Sequence, residues 1–375
     1  MKYYIIAGEA SGDLHAANLM NEIKILDKNA EFRVWGGNLM ENAGGILVKH
    51  YKELAFMGFI EVLLNIRTIS KNLNFCKYDL LKYKPDLLIL VDYPGFNLRI
   101  AEFAHLNQIK IYYYISPKIW AWKKSRAFKI KKYIDKMFVI FPFEKDFYRQ
   151  YNYEVEYLGN PILDEIESKK PLLSEKKVFL EKNKLENKPI IALLAGSRKQ
   201  EISLILPEML KVVQYYPAYQ FIIAGAPSFN LDSYKPFINH LDIMVVFNQT
   251  YDLLKHADYA IVTSGTATLE TALFGVPQVV VYKMLNIQYE IGKFFIKVKF
   301  FSLVNIIMDK QVVKEILQKD MENQIKTELD KMMNNPQYKN EILDNYKELG
   351  HLLGSAGASK RTAEVIIRNL LPLKQ

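Results

Sequence analysis

Short apolar runs recur along the chain, each followed by a stretch with helical spacing before the next run begins. In the first half they are Tyr3–Ala7, Phe32–Trp35, Leu87–Val91, Ile109–Ile115 and Met137–Ile140. In the second they are Pro189–Leu194, Gln220–Ala224, Ile243–Phe247, Tyr259–Val262 and Gln278–Tyr282. Strand–helix alternation of this kind predicts parallel α/β sheets. A polar, lysine-rich segment near Glu165–Lys188 interrupts the pattern and is expected to be a linker with a short helix. The pattern therefore predicts two doubly wound domains, at 1–165 and 188–345, joined by a linker at 166–187. A C-terminal segment, 346–375, contains helical spacing at Ala358–Leu371, with Ala363, Val365, Ile366 and Leu370 apolar. Ligands of doubly wound sheets bind beyond the carboxyl ends of the strands, so the loops there hold the candidate chemistry.

A length of 375 residues agrees with two domains. The single cysteine, Cys76, excludes an intrachain disulfide and fits a reducing compartment. The apolar run at the N-terminus is short and meets Glu9 and Asp13 at once, unlike a signal peptide. The long charge-free stretch Val212–Leu231 contains Pro217, Gly225, Pro227 and Asn230, which argues against a membrane-spanning helix. A cytoplasmic protein is expected. The net charge of +9 favours anionic partners, and much of the excess is local. Between Lys118 and Lys136 stand Lys123, Lys124, Arg126, Lys129, Lys131 and Lys132 against the lone acid Asp135.

Four strand ends carry chemistry. The first run leads into Gly8-Glu9-Ala10-Ser11-Gly12-Asp13 and a helix, where small residues expose amides suited to anions or sugar hydroxyls. Asp13 is also a candidate N-cap, and Glu9 has no evident folding role. Leu87–Val91 ends in Asp92-Tyr93-Pro94-Gly95; a carboxylate there points out of the sheet, and partial desolvation would make it a usable general base. Asp92 before Pro-Gly is equally a turn former. Ile190–Leu194 leads to Gly196-Ser197-Arg198 before a helix, an arrangement for gripping phosphate. Tyr259–Val262 leads to Ser264-Gly265-Thr266, again hydroxyls and amides at a helix start, with Glu270 one turn on and able to accept ribose hydroxyls. The six histidines show no metal-ligand spacing, and neither a D-x-D nor a G-x-S-x-G motif occurs. No metal and no cofactor is expected.

Together these residues resemble the lipid-A-disaccharide synthase family. The resemblance rests on the Gly8–Asp13 run, Tyr114-Ile115-Ser116-Pro117 with Trp120-Ala121-Trp122, Pro142-Phe143-Glu144, Gly196-Ser197-Arg198, Ser264–Glu270 with Gly275-Val276-Pro277, and Ser302-Leu303-Val304-Asn305. It implies a GT-B fold, two Rossmann-like domains facing a cleft, with the C-terminal helix packing back on the first. It also implies an inverting glycosyltransferase of lipid A (lipopolysaccharide) biosynthesis. Such an enzyme condenses UDP-2,3-diacylglucosamine with 2,3-diacylglucosamine 1-phosphate (lipid X), giving the β-1,6-linked disaccharide 1-phosphate and UDP. By the same resemblance Asp92 is the base for the acceptor 6-hydroxyl. Arg198 and Glu270 hold the UDP pyrophosphate and ribose, and Glu9 and Asn305 are further active-site positions. Ser11, Ser264, Gly265 and Thr266 complete the expected substrate-binding set. Three departures stand out: Asn160 where many members carry His, Gly95 in place of an acid, and Val304 in place of a proline.

A peripheral association with the inner face of the cytoplasmic membrane is expected from two segments. Leu54–Leu64 is apolar around more of a helix than one stripe requires, with Phe56, Met57, Phe59, Ile60 and Leu63 as candidate acyl contacts. Lys293–Phe301 interleaves Phe294 and Phe295 with lysines suited to anionic lipid. Two other readings remain open at this point: another UDP-sugar enzyme of the same fold, such as a UDP-N-acetylglucosamine 2-epimerase, and an RNA-binding protein built on the Lys118–Lys136 cluster. Nucleic acid is not the expected partner, and homo-oligomerisation is left open.

Overall fold

The computed structural model describes residues 1–54, 65–121, 124–238, 241–284 and 299–370. The chain divides into two compact units, Met1–Asp164 with Ser355–Gln375, and Glu165–Gly354. In chain order the first contains β1 (Lys2–Ala7), α1 (Ala10–Leu26), β2 (Glu31–Gly36), α2 (Asn38–Asn42), β3 (Gly45–His50), α3 (Ile66–Tyr83), β4 (Leu87–Val91) and α4 (Pro94–Leu106). It continues through β5 (Ile111–Tyr114), α5 (Arg126–Tyr133), β6 (Lys136–Val139), α6 (Glu144–Arg149), β7 (Glu156–Tyr157) and α7 (Pro161–Lys169), the helix in which the boundary falls. The second holds α8 (Lys176–Lys182), β8 (Ile190–Leu194), α9 (Lys199–Leu210), β9 (Gln220–Gly225), α10 (Lys235–Ile238), β10 (Met244–Phe247) and α11 (Thr250–His256). There follow β11 (Tyr259–Thr263), α12 (Thr266–Leu273), β12 (Gln278–Tyr282), α13 (Leu303–Met308), β13 (Glu315–Leu317), α14 (Met321–Asn334) and α15 (Pro336–Leu353). The last helix, α16 (Ala358–Leu370), belongs to the first unit.

Both sheets are parallel throughout the described residues. Their orders are β3-β2-β1-β4-β5-β6-β7 and β10-β9-β8-β11-β12-β13. In each, the chain builds outward on one side and then crosses to the other. The switch lies between β1 and β4 in the first unit and between β8 and β11 in the second, where an open α/β sheet leaves a crevice at the strands' carboxyl ends. Asp92 follows β4 and Glu9 follows β1; Arg198 follows β8 and Ser264 follows β11.

Leu87–Val91 and Ile190–Leu194 are buried along their whole length because helices cover both faces of each sheet. Tyr3 and Ile5 face a core shared with Met20, Ile23 and Ile366, whereas Tyr4 and Ile6 face one shared with Leu80, Leu98 and Ile100. The apolar stripe of α16 thus lies on α1, and full burial of a side chain such as Ile366 stabilises by roughly 1.5–3 kcal/mol. Asp164 fixes the start of α16, its carboxylate accepting the N–H groups of Gly357, Ala358 and Ser359 at 2.6, 3.0 and 2.8 Å.

The apolar pattern left out β3, β7 and β13. All are edge strands, half exposed or of two to three residues, so no continuous apolar run marks them. Part of the stretch expected as a linker is core instead. Phe179 and Leu180 of α8 pack with Ile190 and Leu253, although lysines and glutamate surround them in sequence. No helix among the described residues is long and apolar enough to cross a membrane.

Candidate active site

Asp92 sits where β4 has ended and α4 has not begun. Asp92 and Tyr93 are both left-handed, at φ 41° and 48°, and Ile115 at the end of the neighbouring β5 is left-handed at 65°. Three consecutive-strand residues in a region costly for side-chain-bearing residues mark strain held by the surrounding structure. The restraints are visible. The Asp92 carbonyl accepts the Tyr113 hydroxyl, and also the Asn97 carboxamide at 2.8 Å, while Tyr113 and Asn97 are both fully buried. Its N–H points at the carbonyls of Tyr114 and Ile115, at 3.4 and 3.3 Å. Burial pushes the Asp92 carboxyl up to about 6, and the Glu9 carboxylate adds to the effect; Lys118 and the Tyr93 N–H oppose it. A carboxylate tuned to that range is a competent general base near neutrality.

The structure brings Glu9 to Asp92 and separates Asp13 from them. Glu9 is the N-cap residue of α1, with extended backbone and no side-chain capping bond, so its carboxylate is left for other work. Ser11 is exposed in the first turn. Asp13 is not the cap of its own helix. It is buried and accepts the N–H groups of Gly37, Leu39 and Met40 at 2.7, 3.2 and 3.1 Å, capping α2.

In the second unit the amides of Ser197 and Arg198 do converge on an anion, and the anion is the protein's own. Glu201 accepts both N–H groups, at 3.0 and 3.3 Å, and the Arg198 guanidinium stands 3.4 Å from its other oxygen. Gly196, at φ +104°, has no room for a side chain because Glu201 lies over it. Even in this pair the Arg198 side chain is half exposed. At the end of β11, Ser264 donates to the Phe301 carbonyl at 2.7 Å, Gly265 caps α12, and Thr266 is exposed in its first turn. Glu270, one turn in, accepts the Tyr251 hydroxyl at 2.6 Å. Burial raises its pKa, as does Glu165, while Tyr251 and Lys169 lower it. Tyr251 belongs to this cluster and escaped the sequence reading, since a lone helical tyrosine carries no signal.

Asn305 follows the Ser302 N-cap in α13. It is fully buried, and its carboxamide spends every hydrogen-bonding position on the protein. Nδ2 donates to the Val313 carbonyl at 2.9 Å and to Glu315 at 2.8 Å, and Oδ1 accepts from Val312 and Val313 at 2.8 and 3.0 Å. It braces a loop and has nothing left for a substrate. Asn160 is buried and bonded to the protein, donating to Ile140 and accepting from Ile162, both at 3.0 Å. Val304 is buried in α13 and Gly95 is exposed with nothing near it. The membrane candidates Phe56, Met57, Phe59, Ile60, Leu63, Phe294 and Phe295 lie outside the described residues. Among the described residues no cluster of His, Cys, Asp and Glu is arranged to hold a metal ion.

A family model described as lipid-A-disaccharide synthetase matches residues 3–365. The lipid-A-disaccharide synthase of Coxiella burnetii (strain CbuG_Q212) is 38% identical over 370 residues, 96% of this chain and 96% of that protein. That of Geobacter sulfurreducens is 35% identical over 373 residues, 98% of this chain and 96% of the other. Among solved structures, UDP-GlcNAc 2-epimerase from Neisseria meningitidis, bound to UDP-GlcNAc, gives a TM-score of 0.69 at 14% identity, covering 98% of this chain and 100% of that one. At that identity the likeness is one of fold.

Proposed function

This chain belongs to the lipid-A-disaccharide synthetase family, and from that membership we propose how its residues carry the glycosyl transfer. The donor is UDP-2,3-diacylglucosamine and the acceptor is 2,3-diacylglucosamine 1-phosphate. The acceptor's 6-oxygen attacks the anomeric carbon, the bond to the UDP oxygen breaks, and the anomeric centre inverts. Asp92 takes the proton from the 6-hydroxyl. The observation that carries this reading is the Asp92 carboxyl itself, held at a strained switch-point turn and pushed up to about 6. A base in that range is ionised at neutral pH yet still worth protonating. Glu9, beside it, orients a hydroxyl of the acceptor.

The departing UDP carries its negative charge to the amides after β8. Support for an anion there comes from Glu201, whose carboxylate takes the Ser197 and Arg198 N–H groups. Arg198 grips the diphosphate, Ser264, Gly265 and Thr266 offer hydroxyl and amide contacts at a helix start, and Glu270 receives the ribose hydroxyls. Mass spectrometry of the products from UDP-2,3-diacylglucosamine and lipid X tests the reaction; the disaccharide 1-phosphate is expected, and free diacylglucosamine or an epimerised donor would overturn it.

The enzyme works at the inner face of the cytoplasmic membrane, where both acylated substrates lie. The apolar segment Leu54–Leu64 and the Phe–Lys segment near Phe294 and Phe295 support that surface, each lysine at an anionic membrane contributing about 1 kcal/mol. Flotation with anionic liposomes at low and at high salt is the check. Binding lost at high salt is expected, and none at low salt would remove the membrane from the picture.

A further inference from the structure

Two sequence stretches with no role in the scheme above, Ser116-Pro117 with Trp120 and Pro142-Phe143-Glu144, meet at one buried carboxyl in the first unit. Glu144 opens α6 and is fully buried. Its Oε2 accepts the N–H groups of Ile140 and Phe141 at 3.1 and 3.0 Å, fastening the turn after β6. Its Oε1 and the indole Nε1 of Trp120 are both buried without a close partner. Ser116 and Trp120 act on the carboxyl from the loop after β5. The Trp120 ring meets Phe143 edge-on at 5.1 Å, and the Ser116 hydroxyl shares a 2.8 Å hydrogen bond with Tyr148. The titratable groups around Glu144 are Tyr148 of α6 and Tyr157 of β7, with Arg361 of α16 acting on Tyr157. Burial pushes the Glu144 carboxyl up to about 7.

The Ser116–Trp120 loop beside Glu144 reaches Asp92. Ile115, just before Ser116, offers its carbonyl to the Asp92 N–H at 3.3 Å. Lys118, exposed between Ser116 and Trp120, is the cation that favours the ionised form of Asp92. We propose that Glu144 is a positioning residue for the transfer: its buried carboxyl holds the Ser116–Trp120 loop so that Lys118 faces Asp92. A carboxyl suits this task because one oxygen accepts the Ile140 and Phe141 amides while the other, Oε1, keeps its acceptor capacity for the side of Ser116 and Trp120, which both favour the ionised form. A glutamine of the same shape accepts at one side only and turns an NH2 towards the other donors, so the loop loses its anchor.

The inference rests on Asp92 being the base, and the test separates the two. The pH dependence of kcat/KM is measured from about pH 5 to 9 on the full-length protein and on Glu144→Gln, Lys118→Met, the double variant and Asp92→Asn, with UDP affinity by calorimetry as the control. Glu144→Gln and Lys118→Met are each expected to move the acid limb upward by about half a pH unit or more, because Asp92 loses its cation. The double variant should move it no further than the larger single shift, and UDP affinity should stay unchanged. An acid limb at the wild-type position in Glu144→Gln, or shifts that add in the double variant, would overturn the proposal. Should Glu144→Gln fail to fold, Trp120→Phe removes the indole N–H from the opposite side and is expected to shift the limb in the same direction; an unmoved limb counts against it equally. If Asp92→Asn abolishes the limb while Glu144→Gln leaves it in place, only the Glu144 role falls. If the limb survives Asp92→Asn, both fall.

Discussion

The aromatic ring of Tyr93 occupies the space that Gly8 leaves by lacking a side chain: a methyl group on Gly8 would run into three of its ring carbons. The far end of Tyr93 is fixed as well, its hydroxyl donating to the Leu54 carbonyl at 2.9 Å. Gly8 follows β1 and Tyr93 follows Asp92, so this contact fastens the Glu9 loop to the turn that carries Asp92.

Gly8→Ala is therefore expected to destabilise the protein by about 1–3 kcal/mol, the usual range for overpacking, and to lower kcat with it. In a Tyr93→Ala background the same substitution should cost much less, because the ring it strikes is gone. Denaturant unfolding of both singles and the double measures the coupling; purely additive costs would show that Tyr93 is not what excludes a side chain at residue 8.

Asp92→Asn should trade rate for stability. The loss in kcat is expected to be on the order of 10²–10⁴-fold, the worth of a general base, and wild-type activity should fall as pH drops through about 6. The folded-state pKa is raised from 3.8 to about 6, so the folded protein binds that proton more tightly than the unfolded chain. The ionised site therefore subtracts stability fully above the folded value and not at all below the unfolded one. The variant should melt higher than wild type at pH near 8, with the advantage vanishing towards pH near 4. Near-wild-type kcat would remove Asp92 from the mechanism.

Arg198→Ala and Glu270→Gln should each weaken UDP itself by about 1.5–3 kcal/mol, the range for a hydrogen bond to a charged group. Calorimetry with UDP alone reads this directly, and unchanged affinity in both variants would move the nucleotide elsewhere.

The positions of Asp92 and Arg198 were legible in the sequence because both lie just beyond strand ends, and the strands are marked by unbroken apolar runs. Leu87–Val91 and Ile190–Leu194 could be drawn from the sequence, and Asp92 and Arg198 followed by position. The partners that tune them were not legible, because each is a contact between segments distant in sequence. Nothing near Glu144 in sequence says that Trp120 and Ser116 will converge on it, and nothing near Glu270 points to Tyr251 nineteen residues away. The hydrogen bonds of Asn305 were hidden for a related reason: a polar residue in a family motif looks the same in sequence whether it faces a ligand or turns its hydrogen bonds inward.

That difference has a measurable form. Asn305→Ala strands the Val312 and Val313 amides and one lone pair of Glu315, and is expected to cost about 2–4 kcal/mol, since unsatisfied buried groups each carry a penalty of about 1–3 kcal/mol. Protein that remains folded should bind UDP as the wild type does. A selective loss of UDP affinity at unchanged stability would return Asn305 to the binding site.

The salt-free clasp of Asp164 on Gly357, Ala358 and Ser359 sets an order of events during synthesis. Translation delivers Met1–Asp164 first, then the whole of Glu165–Gly354, and only afterwards the helix that covers α1. Until then Ile5, Met20 and Ile23 lack their Ile366 neighbour, so the half of the enzyme made first is the half completed last. At roughly 5–20 residues per second the ribosome leaves that face bare for on the order of ten seconds or more, an interval in which the apolar surface is open to a chaperone.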